Sequence, residues 1–287
     1  MKSVLITDLD NTLFDWFTVW YKSFSALLNE TSRISGISIE VLKEQIKPIH
    51  QKHGTAEYAF VLEEIPALKE KYGNRQNINK IFDSAIHAYR SERKKYLSLY
   101  PTVFETLKEL KEIGVLIIAY TESKEYYSNY RISKLGLDGI IDILFSPEDH
   151  SIPIDVAPQT SYKLESTVNK HTPRGEIKPN PKILKDIIAS VNADKDECVY
   201  IGDSEMKDIS MAKEAGVDAV FAKYGTTHFS TNVNDYNLLR DVTHWTDADV
   251  EREIKTKEEY KNFHAEISIN KFCELLELYT FTRFNKK

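Results

Sequence analysis

Cysteine is scarce in this chain, with two residues in 287, Cys198 and Cys273. So sparse a pair supports neither a disulfide framework nor a zinc cluster, both of which need more thiols at closer spacing. Cys198 lies in the apolar run CVYIG, where it reads as a small core residue rather than a reactive one. Long apolar runs are also missing. No segment approaches the roughly 20 residues that span a bilayer, so no membrane partner is predicted. The opening segment carries one lysine ahead of VLITDLD and no small-residue cleavage site. That pattern predicts no signal peptide and a cytoplasmic location, where the Asn29-Glu30-Thr31 sequon is a chance match. Excess positive charge is absent, with 38 Lys and Arg against 44 Asp and Glu and a net charge of −6. A nucleic-acid partner gripped through a broadly basic face is thereby excluded.

What is present suits a globular fold. With 41% hydrophobic and 29% charged residues, the chain can bury a substantial core under a polar surface. Its length fits one large domain or two unequal ones. Five short runs rich in Val and Ile punctuate the first 225 residues: Val4–Thr7, Val115–Tyr120, Ile140–Phe145, Cys198–Ile201 and Ala219–Ala222. Each is too short for a typical helix and reads as a buried parallel strand. Helical patterns over Thr102–Ile113, Lys124–Leu135, Pro181–Val191 and Met206–Ala215 separate them, two ending at Gly114 and Gly216. Strands alternating with helices predict an α/β fold around a parallel sheet.

One block breaks the alternation. Residues 15–98 hold only helical stretches, over Trp16–Asn29, Ile39–His50, Ala56–Lys71 and Ile78–Leu97. A block that long far exceeds the ~10–30 residues of an ordinary crossover, so an all-helical inserted domain is predicted there. The core is then residues 1–14 and 99–287, with a C-terminal helical extension from about 226. The insert carries 13 Lys and Arg against 10 Asp and Glu, leaving the rest of the chain at −9. Such a division suits an anionic substrate held over a metal site, although solvated helix faces give the same imbalance. Residues 147–177 show no clear period and read as a long loop or a small excursion. Asp247–Thr256 and Ser268–Phe281 read as helices.

The chemistry gathers at strand ends, where ligand sites of open α/β sheets form. The first strand runs into Asp8-Leu9-Asp10-Asn11-Thr12. Two aspartates one residue apart repel, and a divalent cation is the usual compensation; alone, they equally suit a solvated turn. The run Tyr200-Ile201-Gly202-Asp203-Ser204 ends another strand, and Asp208 follows in the first turn of the next helix. Three or four carboxylates converging there make a hard-oxygen site of the kind magnesium accepts. Thr121 ends the second strand, where its hydroxyl and the following N–H groups can bind a phosphoryl oxygen. Lys178 precedes a helix beginning near Pro181 and can neutralise both an aspartate and a phosphoryl group. Glu122 is an extra acid beside Thr121, and its side chain is expected to point away from the site. His50, Lys52, His53, Thr55 and Tyr58 surround Gly54, either an exposed inter-helix turn or a group able to reach a leaving group. Trp16, Phe17 and Trp20 have the spacing of core packing.

DLDNT after a first strand, Thr121 after a second, Lys178-Pro179 before a helix and GDSEMKDISMAKEAG after a later strand together resemble the haloacid dehalogenase (HAD) superfamily. The resemblance covers residues 1–225 in outline, and the inserted block falls where that family carries type C1 helical caps. It implies a Rossmann-like core, magnesium as cofactor and a phosphatase acting on a small phosphorylated metabolite. It further implies that Asp8 forms an aspartyl-phosphate and that Asp10 serves as acid and then base. Magnesium would be held by Asp8, the backbone carbonyl of Asp10, Asp203 and, directly or through water, Asp208. Thr121 and Lys178 would hold the phosphoryl group. A phosphomutase shares every one of these residues, and a non-catalytic scaffold on the same fold is the alternative from another class. An acid two residues after the nucleophile distinguishes phosphoryl from dehalogenase chemistry within the family. Monomer and homodimer are both open.

Overall fold

The structure, a computed structural model, describes residues 1–149, 162–226, 235–260 and 263–285. In chain order its first elements are β1 (Val4–Thr7), α1 (Trp16–Ser35), α2 (Ile39–His53), α3 (Val61–Glu64), α4 (Pro66–Tyr72), α5 (Arg75–Ile81) and α6 (Asp83–Tyr96). There follow α7 (Val103–Ile113), β2 (Leu116–Tyr120), α8 (Glu125–Lys134), β3 (Ile143–Ser146), β4 (Val168–His171) and α9 (Pro181–Ala189). Next come β5 (Cys198–Gly202), α10 (Ser210–Ala215) and β6 (Asp218–Ala222); after the helices Tyr236–Asp241 and Asp247–Glu259 comes β7 (Ser268–Ile269). No helix among the described residues is long and apolar enough to cross a membrane.

The seven strands form one parallel sheet in the order β4-β3-β2-β1-β5-β6-β7. The five apolar runs are its inner strands. Every residue of β1 and β5 is buried, as strands covered on both faces require. On one face, Val4, Ile6, Ile118, Cys198 and Tyr200 pack with Ile183, Leu184, Ile187 and Ile188 of α9. Fully burying an aliphatic side chain stabilises by about 1.5–3 kcal/mol, so this helix is fixed chiefly by those four residues.

The two outermost strands lack the apolar signature, and each corrects an expectation. β4 falls within the segment read as loop, of which residues 150–161 lie outside the described residues. Its sequence, VNKH, is polar and half exposed. An edge strand needs only a backbone ladder on one side, which composition does not reveal. β7 replaces the start of the helix expected over Ser268–Phe281. Ser268 and Ile269 pair with Phe221 and Ala222, a short helix covers Leu275–Leu278, and Phe281 bridges to Lys2. Ile269, Phe272 and Leu275 are buried there, whereas Leu278 is exposed.

The chain separates into two compact units. One contains Met1–Asp15, Ser98–Thr227 and Lys257–Lys287; the other contains Trp16–Leu97 together with residues up to Thr256 from the segment after 227. The inserted block is helical, with α1 packed most extensively on α6. Residues 235–256 join this helical unit, not the sheet, which differs from the extension expected from about 226; residues 227–234 lie outside the described residues. The reason is a set of specific contacts. The Phe17 and Tyr236 rings stack at 3.9 Å, Lys43 pairs with Asp241 at 2.7 Å, and the His50 Nδ1–H donates to the Val242 carbonyl at 2.7 Å.

Candidate active site

β1 and β5 are neighbours in register, Thr7 beside Ile201, so their ends place Asp8 and Asp203 side by side. The Asp8 N–H extends the ladder to the Ile201 carbonyl at 2.9 Å. Past β5 the chain forms a wide turn over Glu205–Ile209, begun by Ser204, whose hydroxyl accepts from the Lys207 N–H at 3.1 Å. This turn carries Asp208 back over Gly202. A Cβ at position 202 would lie 2.4 Å from Asp208 Cγ, so only glycine permits the approach. Asp8, Asp203 and Asp208 thus offer oxygens within 4.8 Å of one another.

Lys178 is the cation facing this group. Its Nζ donates to Asp8 Oδ1 at 2.6 Å and to Asp208 Oδ1 at 2.9 Å, over the Tyr120 and Tyr200 rings. Burial alone would lower the Lys178 pKa, but Asp208 and Asp8 outweigh it and hold the ammonium charged. For Asp8 the balance runs the other way. Burial, with Asp208 and Asp10 nearby, outweighs Lys178 and pushes the carboxyl up to about 8. Asp203 is likewise pushed well up, by burial and then by Asp8 and Asp208. Three crowded carboxyls share one ammonium, so ionising them together is costly without a further positive charge. The donor set is all oxygen, and a hard divalent cation fits it.

The three acids are not equivalent. Asp208 is the most heavily used by the protein, its Oδ1 accepting from Lys178 and from the Tyr200 hydroxyl at 2.8 Å and its Oδ2 from the Ser204 N–H at 3.2 Å. Asp203 is held loosely among the described residues, by its own backbone N–H and a long 3.5 Å contact from the Thr12 hydroxyl.

Asp10 is held by a separate set of side chains. Its Oδ2 accepts from the Ser123 hydroxyl at 2.6 Å and the Thr121 hydroxyl at 3.2 Å, and its Oδ1 accepts from Arg131 at 3.0 Å. Thr121 is therefore spent on Asp10 in this arrangement. The loop after β6 closes over the same turn, its Tyr224 hydroxyl donating to the Thr12 carbonyl at 2.7 Å. Gly225 lies against it so tightly that a Cβ would come 2.0 Å from the Asn11 carbonyl oxygen.

The six residues expected to form the site, Asp8, Asp10, Thr121, Lys178, Asp203 and Asp208, lie in the α/β unit, and hydrogen bonds or shared proximity join them in two groups. Sequence reasoning missed Ser123, Arg131 and Tyr200. Arg131 had a signal, a cation among Tyr127, Tyr130 and Ile132 on one helix, but nothing local names its partner 121 residues away. Glu122 does not simply turn aside. Its carboxylate accepts the Lys178 N–H at 3.1 Å and the Lys207 ammonium at 3.3 Å, tying down the loop that presents Lys178.

A family model described as "Hydrolase: haloacid dehalogenase-like hydrolase" matches residues 2–216. A glyceraldehyde 3-phosphate phosphatase from Methanopyrus kandleri is 27% identical over 51% of this chain and 52% of its own. A phosphoglycolate phosphatase from Vibrio vulnificus is 29% identical over 54% of this chain and 55% of its own. The chain thus spans about half the length of these curated relatives. A solved structure, a 2-haloacid dehalogenase from Pseudomonas syringae pv. Tomato DC3000, aligns over 97% of this chain and 98% of its own. Its TM-score is 0.54 at 18% identity, a likeness of fold alone.

Proposed function

Because the chain belongs to the haloacid dehalogenase-like hydrolases, we propose that it is a magnesium-dependent phosphatase acting on a small phosphorylated metabolite. The observation that carries this reading is the pairing of Asp8 with Lys178 inside a three-carboxylate cluster, with a further aspartate, Asp10, held apart by Arg131, Ser123 and Thr121. The phosphatases among the relatives are named for glyceraldehyde 3-phosphate and phosphoglycolate, and a short phosphate ester of that kind is the proposed substrate class. The helical unit interrupts the chain just after β1, as the family's helical caps do, and is proposed as that cap.

In this mechanism an Asp8 oxygen attacks phosphorus and the ester bond breaks, leaving an aspartyl-phosphate. Asp10 gives its proton to the departing oxygen, then takes one from the water that releases phosphate. Lys178 orients Asp8 and offsets charge as the phosphoryl group arrives. Thr121 would turn its hydroxyl from Asp10 to a phosphoryl oxygen. Asp8, the Asp10 carbonyl and Asp203 would hold the magnesium, with Asp208 directly or through water. When bound, the ion supplies positive charge that lets an anionic nucleophile approach an anionic ester.

The test is phosphate release from glyceraldehyde 3-phosphate, phosphoglycolate and an aryl phosphate, with magnesium and with chelator. Release that needs magnesium and disappears in Asp8→Ala is expected. Equal release in chelator would remove the metal from the reading, and undiminished release by Asp8→Ala would remove the nucleophile.

A further inference from the structure

We propose that Arg131, acting with Ser123, is a positioning residue that fixes the Asp10 carboxylate in the orientation proton transfer requires. The proposal rests on the reading of Asp10 as the acid–base group.

Arg131 lies on α8, and its side chain is 5% exposed beside an Asp10 side chain that is 19% exposed. One guanidinium nitrogen donates to Asp10 Oδ1 and to the Ser123 hydroxyl oxygen, both at 3.0 Å. The Ser123 hydroxyl spends its own proton on Asp10 Oδ2 at 2.6 Å. The three side chains therefore close a triangle in which each oxygen of Asp10 has its own donor. Phe14 lies under the guanidinium, 5.6 Å from its ring centre, and the Ser123 N–H donates to Thr121 Oγ1 at 3.0 Å, fixing the loop that carries the hydroxyl.

A free aspartate side chain rotates about two bonds, and its carboxylate can present any of about four lone-pair directions. Anchoring both oxygens removes that freedom: Oδ2 accepts from two hydroxyls, and Oδ1, held by Arg131, keeps the second lone pair that can carry a proton. Burying an arginine so completely is costly without a partner, so the geometry is reinforced from both ends. A misplacement of about 1 Å in a catalytic group can cost ~10²-fold, within the ~10²–10⁴-fold that general acid–base help supplies.

The test compares alkyl and aryl phosphates in Arg131→Met, Asp10→Ala and the double variant, with folding checked by thermal unfolding. Protonating the departing oxygen matters more for an alkyl ester. Arg131→Met is expected to lower kcat by ~10²-fold for the alkyl ester and by much less for the aryl ester, while KM changes little. In the Asp10→Ala background it should have no further effect on the alkyl-to-aryl ratio. Arg131→Lys, which keeps the charge, should recover part of the loss. Equal slowing of both esters, or the same loss with and without Asp10, would overturn the proposal and leave Arg131 a purely structural link. If Asp10→Ala itself treats the two esters alike, it is the acid–base reading that fails. Should Arg131→Met not fold, Ser123→Ala carries the test. It should widen the alkyl-to-aryl gap by ~10-fold, and an unchanged gap would overturn the proposal.

Discussion

The division of labour among the carboxylates is set residue by residue, by which of their oxygens the protein has already used. Asp208 gives its oxygens to Lys178, Tyr200 and the Ser204 N–H, so its role is to hold the lysine and the turn. Asp203, with its long contact from Thr12, is the acid with capacity to spare. In a magnesium titration of activity, Asp203→Asn should raise the half-saturating concentration by ~10-fold or more, and Asp208→Asn by clearly less. Asp208→Asn should instead lower kcat, because Lys178 loses a charged partner worth about 1.5–3 kcal/mol as a hydrogen bond. Equal shifts in both variants would mean that the two acids share the metal equally.

At the scale of elements, the site depends on a strand that ends in glycine and on the turn that follows it. Asp208 is placed by the Glu205–Ile209 turn folding back over β5, and its side-chain carbons occupy the space a side chain at 202 would need. Gly202→Ala should therefore displace Asp208 and loosen Lys178, although alanine suits a strand at least as well as glycine does. Activity is expected to fall ~10²-fold or more, with a melting temperature lowered by only a few degrees. Activity assays beside thermal unfolding check this, and a Gly202→Ala protein with normal kcat would show that the turn can shift without cost. The same elements explain what was legible in the sequence. Runs such as VLIT and CVYIG announce buried parallel strands because both faces are covered. VNKH and the two-residue β7 announce nothing, because an edge is specified by its neighbour's unpaired backbone. The Asp8, Asp10 and Asp203 motifs were visible because they sit where those legible strands end.

For the whole molecule, the division into an α/β unit and a helical unit is not the division the chain order suggests. Residues 235–256 return to the helical unit through contacts such as His50 with Val242. Burial holds the His50 pKa down, to about 4 from an ordinary 6.5, against the raising effect of its bond to Val242. A histidine whose folded pKa is lowered favours folding fully above the unfolded value. That contribution is lost as pH falls through the window from about 6.5 to about 4, because the unfolded chain takes up a proton that the folded one refuses. Denaturant unfolding should show wild-type stability falling with pH in that window, by up to ~1.4 kcal/mol per unit from this group. His50→Asn keeps a donor for Val242 and has no proton to gain, so its stability should fall less. A constant difference between the two proteins across the window would show that His50 does not titrate as its burial requires.

The sequence by itself determined the parallel sheet, the helical insertion after β1 and the acidic motifs at the strand ends, because each follows from local periodicity and from residues adjacent along the chain. Only the tertiary structure decided that Lys178 lies between Asp8 and Asp208. It also decided that Arg131 and Ser123 enclose Asp10, that Glu122 ties down the Lys178 loop, and that residues 235–256 pack with the helices. These pairings join residues far apart along the chain, His50 and Val242 being 192 positions apart, and no local pattern records which buried charge or carbonyl will meet which partner once the sheet has assembled.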